Sequence, residues 1–181
     1  MNYSPTEHHR RTIRLKGYDY SQNGAYFITI CSHNRKQLFG EINNDEMSLN
    51  QYGAIVRDEW MRSSYIRSEI ILDEFIIMPN HLHGIVFIRN VEKTHDFLDE
   101  IDQSNNFSGL KAKSISSFIA GFKSIVTKKI NIIRKTDGAS VWQRNYHEHI
   151  IRNEIALEKL REYVVHNPLT WEKDSLYCAS S

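Results

Sequence analysis

Residues 69–88 read EIILDEFIIMPNHLHGIVFI, and the fold turns on this stretch. Residues 69–78 and 81–88 are rich in Ile, Val and Phe, side chains that suit a pleated strand. Pro79-Asn80 stands between the two runs and supplies turn chemistry. Strands joined by so short a turn pair antiparallel, so the stretch reads as a hairpin. Side chains alternate along a strand. Leu82 is therefore sent into the core, while His81 and His83 share the opposite face.

The flanking segments extend the pattern. Upstream, residues 48–63 read as a helix, with Leu49, Tyr52, Val56 and Trp60 at helical spacing. Ser48 is the expected cap, and Gln51 completes a capping box. Residues 25–32, AYFITICS, read as a buried strand punctuated by Gly24. Residues 1–24 form a basic N-terminal arm. Downstream, residues 90–113 are polar and read as a long loop. Residues 114–133 carry the clearest amphipathic pattern, with Ile115, Phe118, Ile119, Phe122, Ile125, Val126, Ile130 and Ile133 on one face. After the Asp137-Gly138 turn, residues 141–151 read as a strand. Asn153 caps a last helix, which is expected to end near Asn167 because Pro168 disfavours helical geometry just before it. The order β-α-β-β-α-β plus one helix predicts an α+β, ferredoxin-like fold: an antiparallel sheet with helices on one face and an added C-terminal helix carrying a tyrosine. Residues 25–168 are the expected domain, and residues 169–181 a tail.

Bulk properties narrow the class. The chain of 181 residues suits a single domain with extensions. Its formal net charge of +1 does not single out a polyanionic partner, but the charge is clustered. Arg10, Arg11, Arg14 and Lys16 form one basic run. Lys111, Lys113, Lys123, Lys128, Lys129, Arg134 and Lys135 form another. Two distant cysteines, Cys31 and Cys178, make no disulfide framework. No apolar run approaches the roughly 20 residues of a membrane span, and no signal-peptide core follows the basic start. A cytoplasmic location without a membrane partner is the expectation.

Two imidazoles two residues apart on a strand lie roughly 7 Å apart at Cα, close enough to converge on one ion. Two histidines are too few for a closed structural zinc site, so an open divalent site fits them better. The pair also fits two surface histidines beside a turn. A second H-x-H, His147-Glu148-His149, is a weaker candidate because its middle residue is charged. On the last helix Ala156, Leu160, Tyr163 and Asn167 form one stripe. A phenol beside an amide could give a nucleophile and a further ligand, although Tyr163 also fits as a packing residue. A tyrosine with pKa near 10 is about one-thousandth ionised at neutral pH. A metal ion that polarises a phosphate offsets this deficit, and a tyrosine nucleophile conserves the phosphodiester energy in a covalent bond.

Several segments in order resemble one family: HHRRTIRLKGYDYSQNGAYFITICSHNR, IIMPNHLHGIV, SISSFIAGFKSIVTKKIN, VWQRNYHEHIIRNE and YVVHNP, spanning residues 8–168. The chain resembles the single-tyrosine HUH transposases, most closely the REP-associated tyrosine transposases. The resemblance implies that His81 and His83 are ligands to Mg²⁺ or Mn²⁺, that Tyr163 is the nucleophile, and that Asn167 stands where a third ligand, Gln in some relatives, is found. It further implies cleavage and rejoining of single-stranded DNA through a 5′-phosphotyrosine with a free 3′-OH, and recognition of hairpin DNA beside a guide sequence. Arg10, Arg11, Arg14 and Lys16 on the arm, Lys123 and Lys128 on the basic helix, and Arg144 are the expected DNA contacts, by phosphate neutralisation. Trp142 and Tyr146 could join them by stacking unpaired bases, although Trp142 fits core packing equally well. Relatives act as monomers or as homodimers that exchange the tyrosine helix. Two rival readings are a non-catalytic single-strand RNA- or DNA-binding module, which requires an open sheet face bearing aromatics, and a hydrolase with water as nucleophile.

Overall fold

The computed structural model describes residue 19, residues 22–89 and residues 111–177. Most of the basic arm and nearly all of the expected loop therefore lie outside the described residues.

Strands β1 (Gly24–Cys31), β4 (Ile70–Met78), β5 (His81–Ile88) and β6 (His147–Ile151) form one sheet in the order β4-β5-β1-β6, every neighbouring pair antiparallel. Two further strands, β2 (Gly40–Asn43) and β3 (Glu46–Leu49), form a separate hairpin. Helices α1 (Gln51–Ile66) and α2 (Ile115–Arg134) make the two crossovers. The α+β, ferredoxin-like expectation holds.

Alternation along the strands builds two cores. Tyr26, Ile28 and Ile30 of β1 and Leu82, Val86 and Ile88 of β5 point to one side, where they meet Val56 and Trp60 of α1 and Phe118, Phe122 and Val126 of α2. Burial of each such large side chain contributes about 1.5–3 kcal/mol. Ile125 and Ile133, expected on the buried stripe of α2, sit at its edge, 38% and 39% exposed. Gly84 lies under the Trp60 ring: a Cβ there would stand 2.5 Å from Trp60 Cζ2, so the missing side chain lets the indole lie on the strand. The opposite face collects Phe27, Ile85 and Ile151, and helix α3 (Glu154–His166) covers them with Leu157 and Val164. The added helix thus packs on the other side of the sheet from α1 and α2.

Two local expectations are corrected. Ser48 does not cap α1. It pairs with Glu41 in the β2–β3 hairpin, whose turn residues Asn44 and Asp45 both take positive φ. Asn50 caps instead, its Oδ1 accepting from the backbone N–H of Tyr52 and Gly53 at 2.9 and 3.0 Å. The strand expected over 141–151 is regular only from His147. Trp142 contributes a lone bridge to Ser32, and its ring is wedged against Phe39 and Phe122, which draws the backbone out of the ladder. Helix α3 ends at His166 with Asn167 as its C-cap, as expected, and Pro168–Lys173 follow as a separate 3₁₀ helix. Proline fits there because the first turn needs no donor from it. The expected cap Asn153 is found, and α2 is capped by Ser114 within a capping box that Ser117 closes.

Candidate active site

His81 and His83 open β5 on the face covered by α3, directly after the Pro79-Asn80 turn. They are 0% and 3% exposed, and their ring centroids stand 4.4 Å apart. Each ring is held by a neighbour. His81 Nδ1 lies 2.8 Å from Asn80 Oδ1, and His83 Nδ1 lies 2.8 Å from Thr29 Oγ1. Phe27 stacks on His83, and Trp171 of the 3₁₀ helix lies over His81. Burial draws the pKa of each imidazole down to about 3, helped by the charge of Arg35 at His81 and of His81 and His147 at His83, while Asp174 pulls His83 the other way. Both rings are therefore neutral at neutral pH, the state in which imidazole binds a metal.

Tyr163 reaches the pair from α3. Its hydroxyl stands 3.2 Å from His83 Nε2, and its ring meets His83 and Phe27 edge-on. Partial burial and then the negative charge of Asp174 push its pKa up, and a hydrogen bond from Asn167 works against them. One turn on, Asn167 is 1% exposed. Its Nδ2 donates to Asp174 Oδ2 at 3.1 Å. Asp174 Oδ1 in turn accepts from the Leu176 backbone N–H at 2.6 Å. His81, His83 and Asp174 offer ligand atoms that all lie within 4.8 Å of one another, so this group could hold a metal ion.

A test of fit comes from the hydrogen-bond inventory. His81 Nε2 and Asn167 Oδ1 are buried and have no partner. Such an orphan costs about 1–3 kcal/mol. His81 belongs to the group that could hold an ion, and Asn167 is tied to that group through Asp174, so a cation there would meet an unpartnered imidazole nitrogen. The donor set of imidazole nitrogen and side-chain oxygen suits a divalent ion of the Mg²⁺, Mn²⁺ or Zn²⁺ kind.

The structure thus brings together four residues singled out from the sequence: His81, His83, Tyr163 and Asn167. It adds Asp174, Asn80 and Thr29. Asp174 carries no signal in the sequence, because the helical period that links Tyr163 to Asn167 stops at the proline. Of the expected DNA contacts, those among the described residues lie outside this cluster. Lys123 and Lys128 are on α2, in the layer beyond the sheet from the histidines. Lys123 Nζ donates to the carbonyls of Gln143, Arg144 and Asn145 at 2.5, 3.1 and 3.3 Å, and burial lowers its pKa to about 8. Its ammonium therefore anchors the 143–145 segment. Lys128 and Arg144 are exposed. Arg10, Arg11, Arg14 and Lys16 lie outside the described residues. His147 and His149 face the same side of the sheet as His83: Thr29 is register partner to both His83 and His147.

The fold that sets helix α3 across the paired histidines, a four-stranded antiparallel sheet with two crossover helices behind it, is shared with a solved structure. The structure of a REP-associated tyrosine transposase bound to a REP hairpin matches with a TM-score of 0.58 and 18% identity, over 87% of this chain and 74% of that one, which establishes the shared fold. A Deinococcus radiodurans protein with a provisional transposase assignment aligns at 14% identity over 85% of this chain and 96% of that one, and its TM-score of 0.42 is too low to add to the argument. No family model matches the chain. The chain is 40% identical over 176 residues, 97% of each partner, to an uncharacterized protein of Haemophilus influenzae, and it belongs to the same family as that protein.

Proposed function

We propose that this chain is a metal-dependent, single-strand DNA endonuclease and strand transferase, a transposase that works through a 5′-phosphotyrosine on Tyr163. The observation that carries this reading is the Tyr163 hydroxyl 3.2 Å from His83 Nε2, at the edge of a buried group able to hold an ion. His81, His83 and Asp174 would hold Mg²⁺ or Mn²⁺, with the orphaned Asn167 oxygen beside them. When bound, the ion supplies Lewis acidity to the phosphate and offsets charge in the in-line displacement.

The residues of the chain supply the remainder. Tyr163 Oη attacks phosphorus, the bond from phosphorus to the 3′ oxygen breaks, and the phenolic proton leaves as the 3′ oxygen gains one. One DNA end is then joined to Tyr163 through its 5′ phosphate and the other ends in a free 3′-OH. Attack by a 3′-OH on the phosphotyrosine reverses the step and rejoins DNA without an outside energy source. Phe27 and Trp171 exclude water from the histidine side. The tyrosine of the chain meets the histidines of the same chain, which supports action in cis, in a monomer or within each subunit of a homodimer.

Hairpin DNA is the proposed substrate, with the arm residues Arg10, Arg11, Arg14 and Lys16 and the exposed Lys128 and Arg144 contacting phosphates. The module reading is disfavoured because α3 covers the sheet face that such a module leaves open.

The test is a covalent trap. Labelled single-stranded DNA with a hairpin, incubated with the protein and Mg²⁺ or Mn²⁺, is expected to give an adduct that survives a denaturing gel. Tyr163→Phe is expected to abolish it while binding persists, and His81→Ala or His83→Ala to abolish the metal-dependent cleavage. An undiminished adduct in Tyr163→Phe would reject the assignment of the nucleophile.

A further inference from the structure

Asn80 is fully buried, and every polar atom of its side chain is engaged. Its Nδ2 donates to two backbone carbonyls, Arg35 O at 3.2 Å and Leu176 O at 2.8 Å. Carbonyls only accept, and an amide has a single donor end. The orientation of the amide is therefore settled: nitrogen faces the two carbonyls, and Oδ1 faces His81. Oδ1 is itself only an acceptor, so its 2.8 Å contact with His81 Nδ1 requires the proton on Nδ1. In a neutral imidazole the lone pair then resides on Nε2, the buried atom left without a partner. The Thr29 hydroxyl beside His83 allows no such deduction, because it can donate or accept.

Resting on the metal-centre reading above, we infer that Asn80 is a positioning residue that fixes His81 as its Nδ1–H tautomer and aims the Nε2 lone pair at the ion. The same amide ties two further segments to this point. One is the 33–36 turn, where Asn34 and Arg35 both hold positive φ, 56° and 54°. The other is Leu176, whose N–H holds Asp174 while its carbonyl holds Asn80. Asn80 thus fixes a histidine and, through the backbone of one residue, Leu176, the segment that carries the carboxylate.

The full chain, labelled with ¹⁵N-histidine and kept in chelator, reports the tautomer directly by NMR. His81, assigned by the signals lost in His81→Gln, is expected to show a protonated Nδ1 and an unprotonated Nε2. The opposite pattern overturns the role of Asn80, whether or not any variant folds. Calorimetric titration with Mn²⁺ alone then reads the consequence. Asn80→Ala is expected to weaken Mn²⁺ about 10- to 100-fold, the usual effect of removing a partner of a ligand histidine. Asn80→Asp keeps an oxygen towards Nδ1 but sets its other oxygen against the Arg35 and Leu176 carbonyls, so it is expected to keep the tautomer and recover only part of that affinity. Equal affinity in all three proteins overturns the inference. No Mn²⁺ uptake by the wild type with Nδ1 protonated overturns the metal-centre reading instead, so the two failures are distinct.

Discussion

Asn167 shows how one side chain serves two demands at once. Its nitrogen holds Asp174, and its oxygen is buried without a partner among the candidate ligands. Asn167→Ala would free the carboxylate and remove a lone pair from the cluster. It is expected to raise the Mn²⁺ concentration needed for half-maximal cleavage while cleavage at saturating metal persists. An unchanged metal titration would remove Asn167 from the site. The histidines make a prediction about pH. Their folded pKa values of about 3 lie below the ordinary value of 6.5. Between those values the unfolded chain binds protons that the folded chain refuses, so stability falls as pH falls from about 6.5 towards 3, and the pair has no effect above about 7.5. Urea midpoints in chelator are expected to drop less steeply from pH 7 to 4.5 in a His81→Gln/His83→Gln variant than in the wild type. Parallel profiles would contradict this.

At the scale of elements, the site depends on layers meeting on both sides of β5. On one side the indole of Trp60 lies on the bare backbone at Gly84. On the other, α3 is seated by Arg161, which bonds Asp73 of β4 at 2.7 and 2.8 Å, beside the irregularity between Leu72 and Phe75. Gly84→Ala would drive a methyl group into Trp60. Such overpacking costs about 1–3 kcal/mol, and each kcal/mol lowers Tm by about 2–4 °C in a chain of this size. A thermal melt checks this, and no loss of stability would mean that the indole moves aside freely. Because Gly84 adjoins His83, the same variant is expected to bind Mn²⁺ more weakly even where it stays folded.

At the scale of the whole molecule, a net charge of +1 leaves DNA affinity to local clusters. Lys123 is committed to three carbonyls, and Lys129 to the buried Glu59. The basic helix is thus less available to phosphates than its sequence implies, which places more weight on the arm. Deleting residues 1–16 is expected to flatten the salt dependence of single-strand binding. If all four of Arg10, Arg11, Arg14 and Lys16 contact phosphate, the slope of log affinity against log salt falls by about 3. An identical slope would exclude the arm from the interface. Among the described residues no helix is long and apolar enough to cross a membrane.

The sequence by itself determined whatever depends on local period and on short-range caps. The two-residue alternation gave His81 and His83 a common face with Leu82 opposite, and the hairpin followed from Pro79-Asn80. The helical period put Tyr163 and Asn167 on one stripe, and Asn153 was legible as a cap because a cap binds only the turn that follows it. Ser48 misled for the same reason in reverse: a hydroxyl before a helix resembles a cap until a hairpin partner takes that residue into a strand. Only the tertiary structure decided which distant segments meet. It set α3 on the opposite sheet face from α1 and α2, returned Asp174 to the histidines past Pro168, turned Lys123 towards carbonyls, and closed Asn80 on Arg35 and Leu176. Those contacts join residues up to 96 positions apart, and no periodicity spans such a distance. They are fixed by which buried donors and acceptors must find partners once the layers have packed.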